Sequence, residues 1–312
     1  MGTVVISLDA ELGWGFHHKP LPEERLRETR ENWLRLRRLF DRYDVPATWA
    51  IAGHLFLNSC ESCHPNHPAG ERCCTRSIGD LPAKDIWFGN GLIDEVATAS
   101  ADHEIASHGF THIHFNHECM DSELASLEVR SCVDAAASRG FDLTSFVCPV
   151  NKVGHRDVLV EHGFDCYRGV NPAVESQNTL TWQATKLSSS VLGRPTPPIV
   201  DPHVDEHGLV NVPASLFLFN IDGKYKKPFS VVGTDPVVRQ VKSGVDRVAE
   251  SDGVLHLWFH PHNLQTAQHY ERLHSIVRYV DRRREESDVR VETMGEVADR
   301  VKRAKRPASG LE

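Results

Sequence analysis

The segment Ser7-Leu8-Asp9-Ala10-Glu11-Leu12-Gly13-Trp14-Gly15 ends a short apolar run with two carboxylates. Side chains two apart on a strand point the same way, so Asp9 and Glu11 can face one site. A second segment sets His108 and His112 four apart, directly after the apolar stretch of residues 105–107. With a turn-like or helical backbone between them, both imidazoles lie on one face and can share a metal. Neutral imidazole suits zinc and other late first-row ions, and a carboxylate can complete a three-ligand face with open positions. Each piece alone has a plain structural explanation. Acids are common in solvated strand-to-loop turns, and a single histidine usually serves packing. Their occurrence together points to a metal centre.

The elements that must position these groups follow from hydrophobic periodicity. Residues 4–8 form a short, largely apolar run rich in β-branched residues, which reads as a buried strand. Further strands are expected at 47–52, 105–107, 146–148, 166–168, 216–219, 254–259 and 289–291. Helical spacing appears at 22–43, with Leu26, Trp33, Leu36, Leu39 and Phe40 on one face, and at 92–98, 122–139, 156–162, 266–283 and 293–302. Strands alternating with helices imply βα units and a parallel sheet. Seven or eight units suit a distorted (β/α) barrel of seven or eight parallel strands better than an open sheet. A single catalytic domain is expected over residues 1–302, with a flexible tail at 303–312. Loop insertions near 58–80 and 175–211 would rim the active-site face.

Composition excludes several classes. The 312 residues carry 40% hydrophobic and 25% charged residues and a net charge of −8, with no concentrated basic patch. Nucleic acid is therefore not an expected partner. No window of about 18 apolar residues is present, so no membrane span is expected. The N-terminus shows no basic segment followed by a long apolar stretch, which reads as a cytoplasmic protein with reduced thiols.

The two motifs resemble those of the polysaccharide deacetylase (NodB-like, carbohydrate esterase) family. Glu104-Ile-Ala-Ser-His108-Gly-Phe-Thr-His112 is close to that family's second motif, and Ser7-Leu8-Asp9-Ala10-Glu11 corresponds to its first, where two adjacent aspartates are usual. Phe146-Val-Cys-Pro149-Val-Asn151-Lys152, Tyr167-Arg168-Gly169, Val212-Pro213-Ala214-Ser215 and Trp258-Phe259-His260-Pro261-His262-Asn263 are similar to later segments of one branch. The similarity spans roughly residues 4–301. It implies a distorted (β/α) barrel, a divalent ion (zinc in first place) and hydrolysis of N-acetyl or related groups.

Carried over by position, the resemblance implies Asp9 as catalytic base and His108 and His112 as metal ligands. His260 is implied as the donor to the leaving amine, with His262 as runner-up. Ala10 stands where the second, metal-binding aspartate is usual, so Glu11 is expected to supply that ligand. Val150 stands where the related branch commonly has an arginine near the base; Asn151, Lys152 or Arg168 could replace it. The chemistry is coherent in its own right. Amide hydrolysis needs an activated water, oxyanion stabilisation and a proton for the amine.

Other signals are weaker. Cys60, Cys63, Cys73 and Cys74 have spacing that could hold a structural zinc, but the second pair is adjacent, and a loop insertion with incidental thiols is the preferred reading. Cys119, Cys132, Cys148 and Cys166 read as small packing groups. Trp14, Trp87, Phe88 and Tyr167 could stack on a sugar ring, although core packing is the simpler role for each. His17, His18, His54, His114 and His117 read as surface or supporting residues.

The expected activity is removal of an N-acetyl group from a sugar, with an intermediate of surface-glycan synthesis as substrate. The same site acting on a non-sugar amide or cyclic imide is the first alternative. An inactive metal-containing glycan-binding protein is the second, motivated by Ala10 and Val150.

Overall fold

The computed structural model describes residues 1–16, 19–60, 75–171, 196–219 and 235–305. In chain order the elements are β1 (Thr3–Ala10), α1 (Glu23–Arg42), β2 (Thr48–Ile51), α2 (Ala83–Trp87), α3 (Asn90–Ala97), β3 (Glu104–Ser107), α4 (Ser122–Ala137), β4 (Ser145–Phe146), α5 (Arg156–Glu161), β5 (Cys166–Tyr167) and β6 (His203–Val204). There follow β7 (Val210–Asn211), β8 (Leu216–Phe217), α6 (Pro236–Ala249), β9 (Val254–Phe259), α7 (Ala267–Glu286), β10 (Arg290–Val291) and α8 (Met294–Lys305).

The strands join in the order β6-β7-β5-β4-β3-β2-β1-β9-β8, with β10 beside the start of β1. All ladders are parallel except β6–β7. One stretch of chain, residues 210–217, touches both ends of this sheet. Its first half bonds to β5 and the turn after it, through Val212 N to Tyr167 O at 3.0 Å and Ala214 N to Gly169 O at 3.0 Å. Its second half and the residue after it bond to β9, through Ser215 N to His256 O at 2.8 Å and Leu218 N to Trp258 O at 3.1 Å. The sheet thus curls into a distorted barrel whose staves are β1 to β5, the 210–217 segment and β9. The expectation of seven or eight parallel strands is met, with β6 and β10 as peripheral additions.

Strand alternation divides the core into two layers. Val5, Ala50, Ala106, Val147, Cys166, Val210, Val212 and Val254 pack together with Met294, Val297 and Ala298 of α8. These side chains fill the barrel's interior, and α8 plugs its N-terminal end. Val4, Ile6, Leu8 and Ala10 instead join the cluster that contains Trp33, Leu36 and Phe40 of α1. α1 is amphipathic as expected, and its Trp33 meets Trp49 of β2 with ring centroids 5.4 Å apart.

Four features depart from the expected elements, the first being α2, a short helix at Ala83–Trp87 where none is expected. α6 is an additional helix, capped by Asp235 Oδ1, which accepts from Val237 N at 2.8 Å. Pro236 occupies its first turn, and Val237, Val238, Val241, Val245 and Val248 form its buried stripe. The expected loop near 175–211 contains β6 and β7 in its described part. α8 runs to Lys305, so the expected tail is helical at its start, and 306–312 lie outside the described residues. Among the described residues, no helix is long and apolar enough to cross a membrane.

Candidate active site

The parity of β1 builds one wall of the site. Val5 lies in the interior layer, and Ser7, Asp9 and Glu11 continue that inward column toward the C-terminal rim. Ala10 falls on the opposite face, fully buried among the helix-facing side chains. Ala10 therefore contributes no side chain to the site. β9 contributes a matching column of His256, Trp258 and His260, and β5 leads directly into Arg168.

Glu11 lies between two histidines of one turn. Its Oε2 is 3.2 Å from His108 Nε2 and 2.8 Å from His112 Nε2. All three residues are buried, and the three donor atoms lie within 4.8 Å of one another. The 108–112 backbone is a turn, with Gly109 at φ 70° and His112 at φ 62°. Glu128 of α4 pins that turn. Its Oε2 accepts from Phe110 N at 3.1 Å and Thr111 N at 2.8 Å, and its Oε1 accepts from Thr111 Oγ1 at 2.6 Å.

The donor set fits a divalent cation. His108 Nδ1 is 2.8 Å from the Val147 carbonyl, which can only accept, so Nδ1 carries a hydrogen. In the neutral ring Nε2 then presents a lone pair to a carboxylate oxygen. Two acceptors at that distance require a proton or a cation between them. Burial opposes ionisation of Glu11, yet His112, His260 and the hydrogen bonds from His108 and His112 hold its carboxyl well below the usual range. Burial also disfavours charge on His108, but the Asp9 and Glu11 carboxylates overcome it and raise its pKa. His112 is lowered by burial. A carboxylate and two imidazoles with supporting hydrogen bonds are a familiar zinc-type set.

Asp9 is held by a different partner. Arg168 donates Nη1 to Oδ1 at 2.6 Å and Nη2 to Oδ2 at 2.8 Å. The same guanidinium donates to Ser7 Oγ at 3.1 Å and Asn151 Oδ1 at 2.9 Å, and lies 4.5 Å from the Trp258 ring centroid. Burial raises the Asp9 pKa, but Arg168, His108 and His260 outweigh it and bring it to about 2. Arg168, braced by Asn151, thus holds Asp9, whereas Val150 is 45% exposed.

His260 and His262 close the cavity from the end of β9. His260 Nε2 is 3.7 Å from both Asp9 Oδ2 and Glu11 Oε1, and His262 Nδ1 is 3.7 Å from Glu11 Oε1. Their rings stack with centroids 4.6 Å apart. The His260 side chain is 20% exposed and that of His262 only 8%. Burial lowers the His262 pKa to about 3, so this ring stays neutral.

The structure therefore brings Asp9, Glu11, His108, His112 and His260 into one cavity. Two supporting residues escaped the sequence reading. Glu128 lies 17 residues beyond Thr111 and carried no motif signal. Ser7 joins Arg168 to His256, whose Nε2 is 2.8 Å from Ser7 Oγ. Trp14, Trp87 and Tyr167 are core residues, and His54 packs beneath Trp14 and bonds the Trp87 carbonyl at 3.0 Å. Cys132, Cys148 and Cys166 are buried free thiols, whereas Cys119 is exposed, contrary to its expected packing role. Cys60 is disulfide-bonded, which corrects the expectation of a reduced thiol there and removes it as a thiolate ligand for a structural zinc. Cys63, Cys73, Cys74, His17 and His18 lie outside the described residues.

A curled parallel barrel with this C-terminal cavity is the NodB-like polysaccharide deacetylase fold. Among solved structures, the chain is similar to a protein of Mycobacterium smegmatis named as a polysaccharide deacetylase, with a TM-score of 0.61, 16% identity and coverage of 99% of this chain and 93% of that one. It is equally similar to one from Pseudomonas aeruginosa PAO1 named in the same way, with a TM-score of 0.61, 14% identity and coverage of 97% and 91%. The Puue allantoinase superposes with a TM-score of 0.60 at 15% identity, covering 98% of this chain and 92% of that one. No protein-family model and no curated relative matches the chain.

Proposed function

We propose that this protein is a metal-dependent amide hydrolase that removes an N-acetyl group from a sugar. The observation that carries the reading is the buried convergence of Glu11 Oε2 with His108 Nε2 and His112 Nε2, beside an Arg168-held Asp9. Glu11, His108 and His112 would hold one divalent ion, zinc by the chemistry of the set. When bound, such an ion supplies Lewis acidity, acidifying water and polarising a carbonyl.

The chain's own groups account for the proton movements. Arg168 fixes both oxygens of Asp9, so the carboxylate meets an attacking water in one orientation. An Asp held near pH 2 is a weak base, suited only to a water whose proton is already loosened. His260, the more exposed imidazole, faces the same space and would give its proton to the leaving nitrogen as the C–N bond breaks. His262 is too buried and too firmly neutral for that task.

The sugar assignment rests on the likeness in fold to two proteins named as polysaccharide deacetylases. An acetylated glycan intermediate is the substrate class we favour. A second reading, hydrolysis of a non-sugar amide or cyclic imide at the same site, is favoured by the equal likeness to an enzyme named for allantoin. Ion content and turnover should be measured together on N-acetylated sugars and on a cyclic amide. Asp9→Asn should keep the ion and lose roughly 100-fold or more in turnover on the preferred substrate. Turnover of the cyclic amide alone would select the second reading, and undiminished turnover in Asp9→Asn would remove the mechanism.

A further inference from the structure

Glu11 has two carboxylate oxygens, and a pair of histidines faces each. Oε2 serves His108 and His112, as described above. Oε1 faces His260 Nε2 and His262 Nδ1, both at 3.7 Å. The two groups Glu11–His108–His112 and Glu11–His260–His262 each present three donor atoms within 4.8 Å of one another. They share only the carboxylate, and each uses its own oxygen of it.

We propose a second cation position at Glu11 Oε1, His260 Nε2 and His262 Nδ1, in which Glu11 bridges two ions and occupancy withdraws His260 from proton transfer. The proposal rests on the first position being held by Glu11, His108 and His112. It adds a weaker, inhibitory site for a second divalent ion of the same zinc type.

Two observations favour a cation at this position. His260 Nδ1 lies 3.3 Å from Asn263 Oδ1, which also accepts the His260 backbone N–H at 2.9 Å. With the ring held on that side, Nε2 is the nitrogen that faces Glu11 Oε1. The stacked rings, tilted by only 29°, turn a nitrogen each toward the same oxygen of the Glu11 carboxylate. Two-metal hydrolase sites hold their ions about 3.5–4 Å apart, a separation that the two oxygens of one carboxylate can span.

Exposure explains why the second position would be the weaker: the His260 side chain is 20% exposed, against 1% for His108 and 3% for His112, so water competes more freely for an ion there. Asp9 Oδ2 also lies 3.7 Å from His260 Nε2, but both Asp9 oxygens are committed to Arg168. The site would therefore fill after the first, and filling it would occupy the one nitrogen assigned to protonate the leaving group.

The test is a metal titration of metal-stripped full-length protein with zinc chloride and, separately, cobalt chloride. Bound ion is read by elemental analysis and by the visible bands of cobalt. Wild type should bind about two ions per chain in distinguishable tight and weak phases. His262→Gln and His262→Phe, checked for native circular dichroism, should keep the tight phase and lose the weak one. Turnover of wild type should rise with the first equivalent and fall severalfold with the second. A wild type that saturates at about one ion, or a weak phase that survives in both folded His262 variants, would overturn the second site. Loss of the tight phase in His108→Ala is expected. Its retention would instead remove the first site, so the two failures are told apart by which phase persists.

Discussion

Arg168 and Asp9 form a two-bond grip inside the barrel, Nη1 to Oδ1 at 2.6 Å and Nη2 to Oδ2 at 2.8 Å, with both side chains almost fully buried. A planar guanidinium can satisfy both carboxylate oxygens at once, whereas an ammonium cannot. Arg168→Lys should therefore lower kcat by roughly 10-fold or more while the bound ion remains, because Asp9 would keep a cation but lose its orientation. Arg168→Met leaves a buried carboxylate without its partner and should cost about 3–5 kcal/mol. Turnover, ion content and denaturant unfolding of the two variants test this. Equal turnover in wild type and Arg168→Lys would show that orientation of Asp9 is irrelevant.

Glu128 stands on α4, and three hydrogen bonds tie it to the turn that carries His112. Two of them satisfy buried backbone N–H groups, those of Phe110 and Thr111. Glu128→Gln keeps one acceptor oxygen and should weaken ion binding by roughly 10-fold, near the lower end of what supporting residues of metal histidines contribute. Competition with a chelator measures the change. An unaltered affinity would mean the turn holds its shape without this anchor.

Much of the site was legible because its signals are local. The inward column of Asp9 and Glu11 follows from strand parity, and the four-residue spacing of His108 and His112 lies within one turn. The role of Arg168 was only one of three options, since nothing in the sequence tells how far β5 stands from β1 across the barrel interior. Glu128 was invisible for a related reason. It acts through backbone N–H groups, which leave no trace in residue types. The closing segment 210–217 was hard to read because its two strands are two residues each and Pro213 interrupts them. α6 did carry a readable signature in Asp235-Pro236 and the valine stripe, but it follows directly on a stretch with no clear periodicity.

Gly15 sets a steric limit on the ligand. A Cβ at this position would overlap the Glu11 carboxylate, with Oε1 its nearest neighbour. Glu11 is buried and cannot swing into solvent to make room. Gly15→Ala should therefore displace the carboxylate from His108 and His112 and reduce ion affinity by about 10-fold or more, while the barrel itself stays folded. Circular dichroism together with metal titration separates these effects. Wild-type affinity in a folded Gly15→Ala protein would show that Glu11 is not needed in its present position.

The last prediction concerns acid stability and a histidine outside the cavity. His103 precedes β3, where its Nδ1 accepts the Ala47 N–H at 3.1 Å and its ring meets Phe40 and Trp49 edge-on. Burial disfavours the charged ring and lowers its pKa to about 4, with Asp41 opposing the shift. The unfolded chain would titrate near about 6.5. The folded value is the lower one, so the unfolded state takes up this proton first as pH falls. Stability is complete above about pH 6.5, is lost progressively toward pH 4, and loses nothing further from this group below that. His256 and His262, lowered by burial to about 3, act in the same direction, so His103 supplies only part of the slope. His103→Asn keeps an acceptor near the Nδ1 position without a titrating group. Between pH 6.5 and 4.5 it should lose roughly 1–2 kcal/mol less stability than wild type, whatever its starting value at pH 7. Urea unfolding at a series of pH values measures the two slopes. Parallel slopes would mean that His103 takes up its proton as readily in the folded protein as in the unfolded chain.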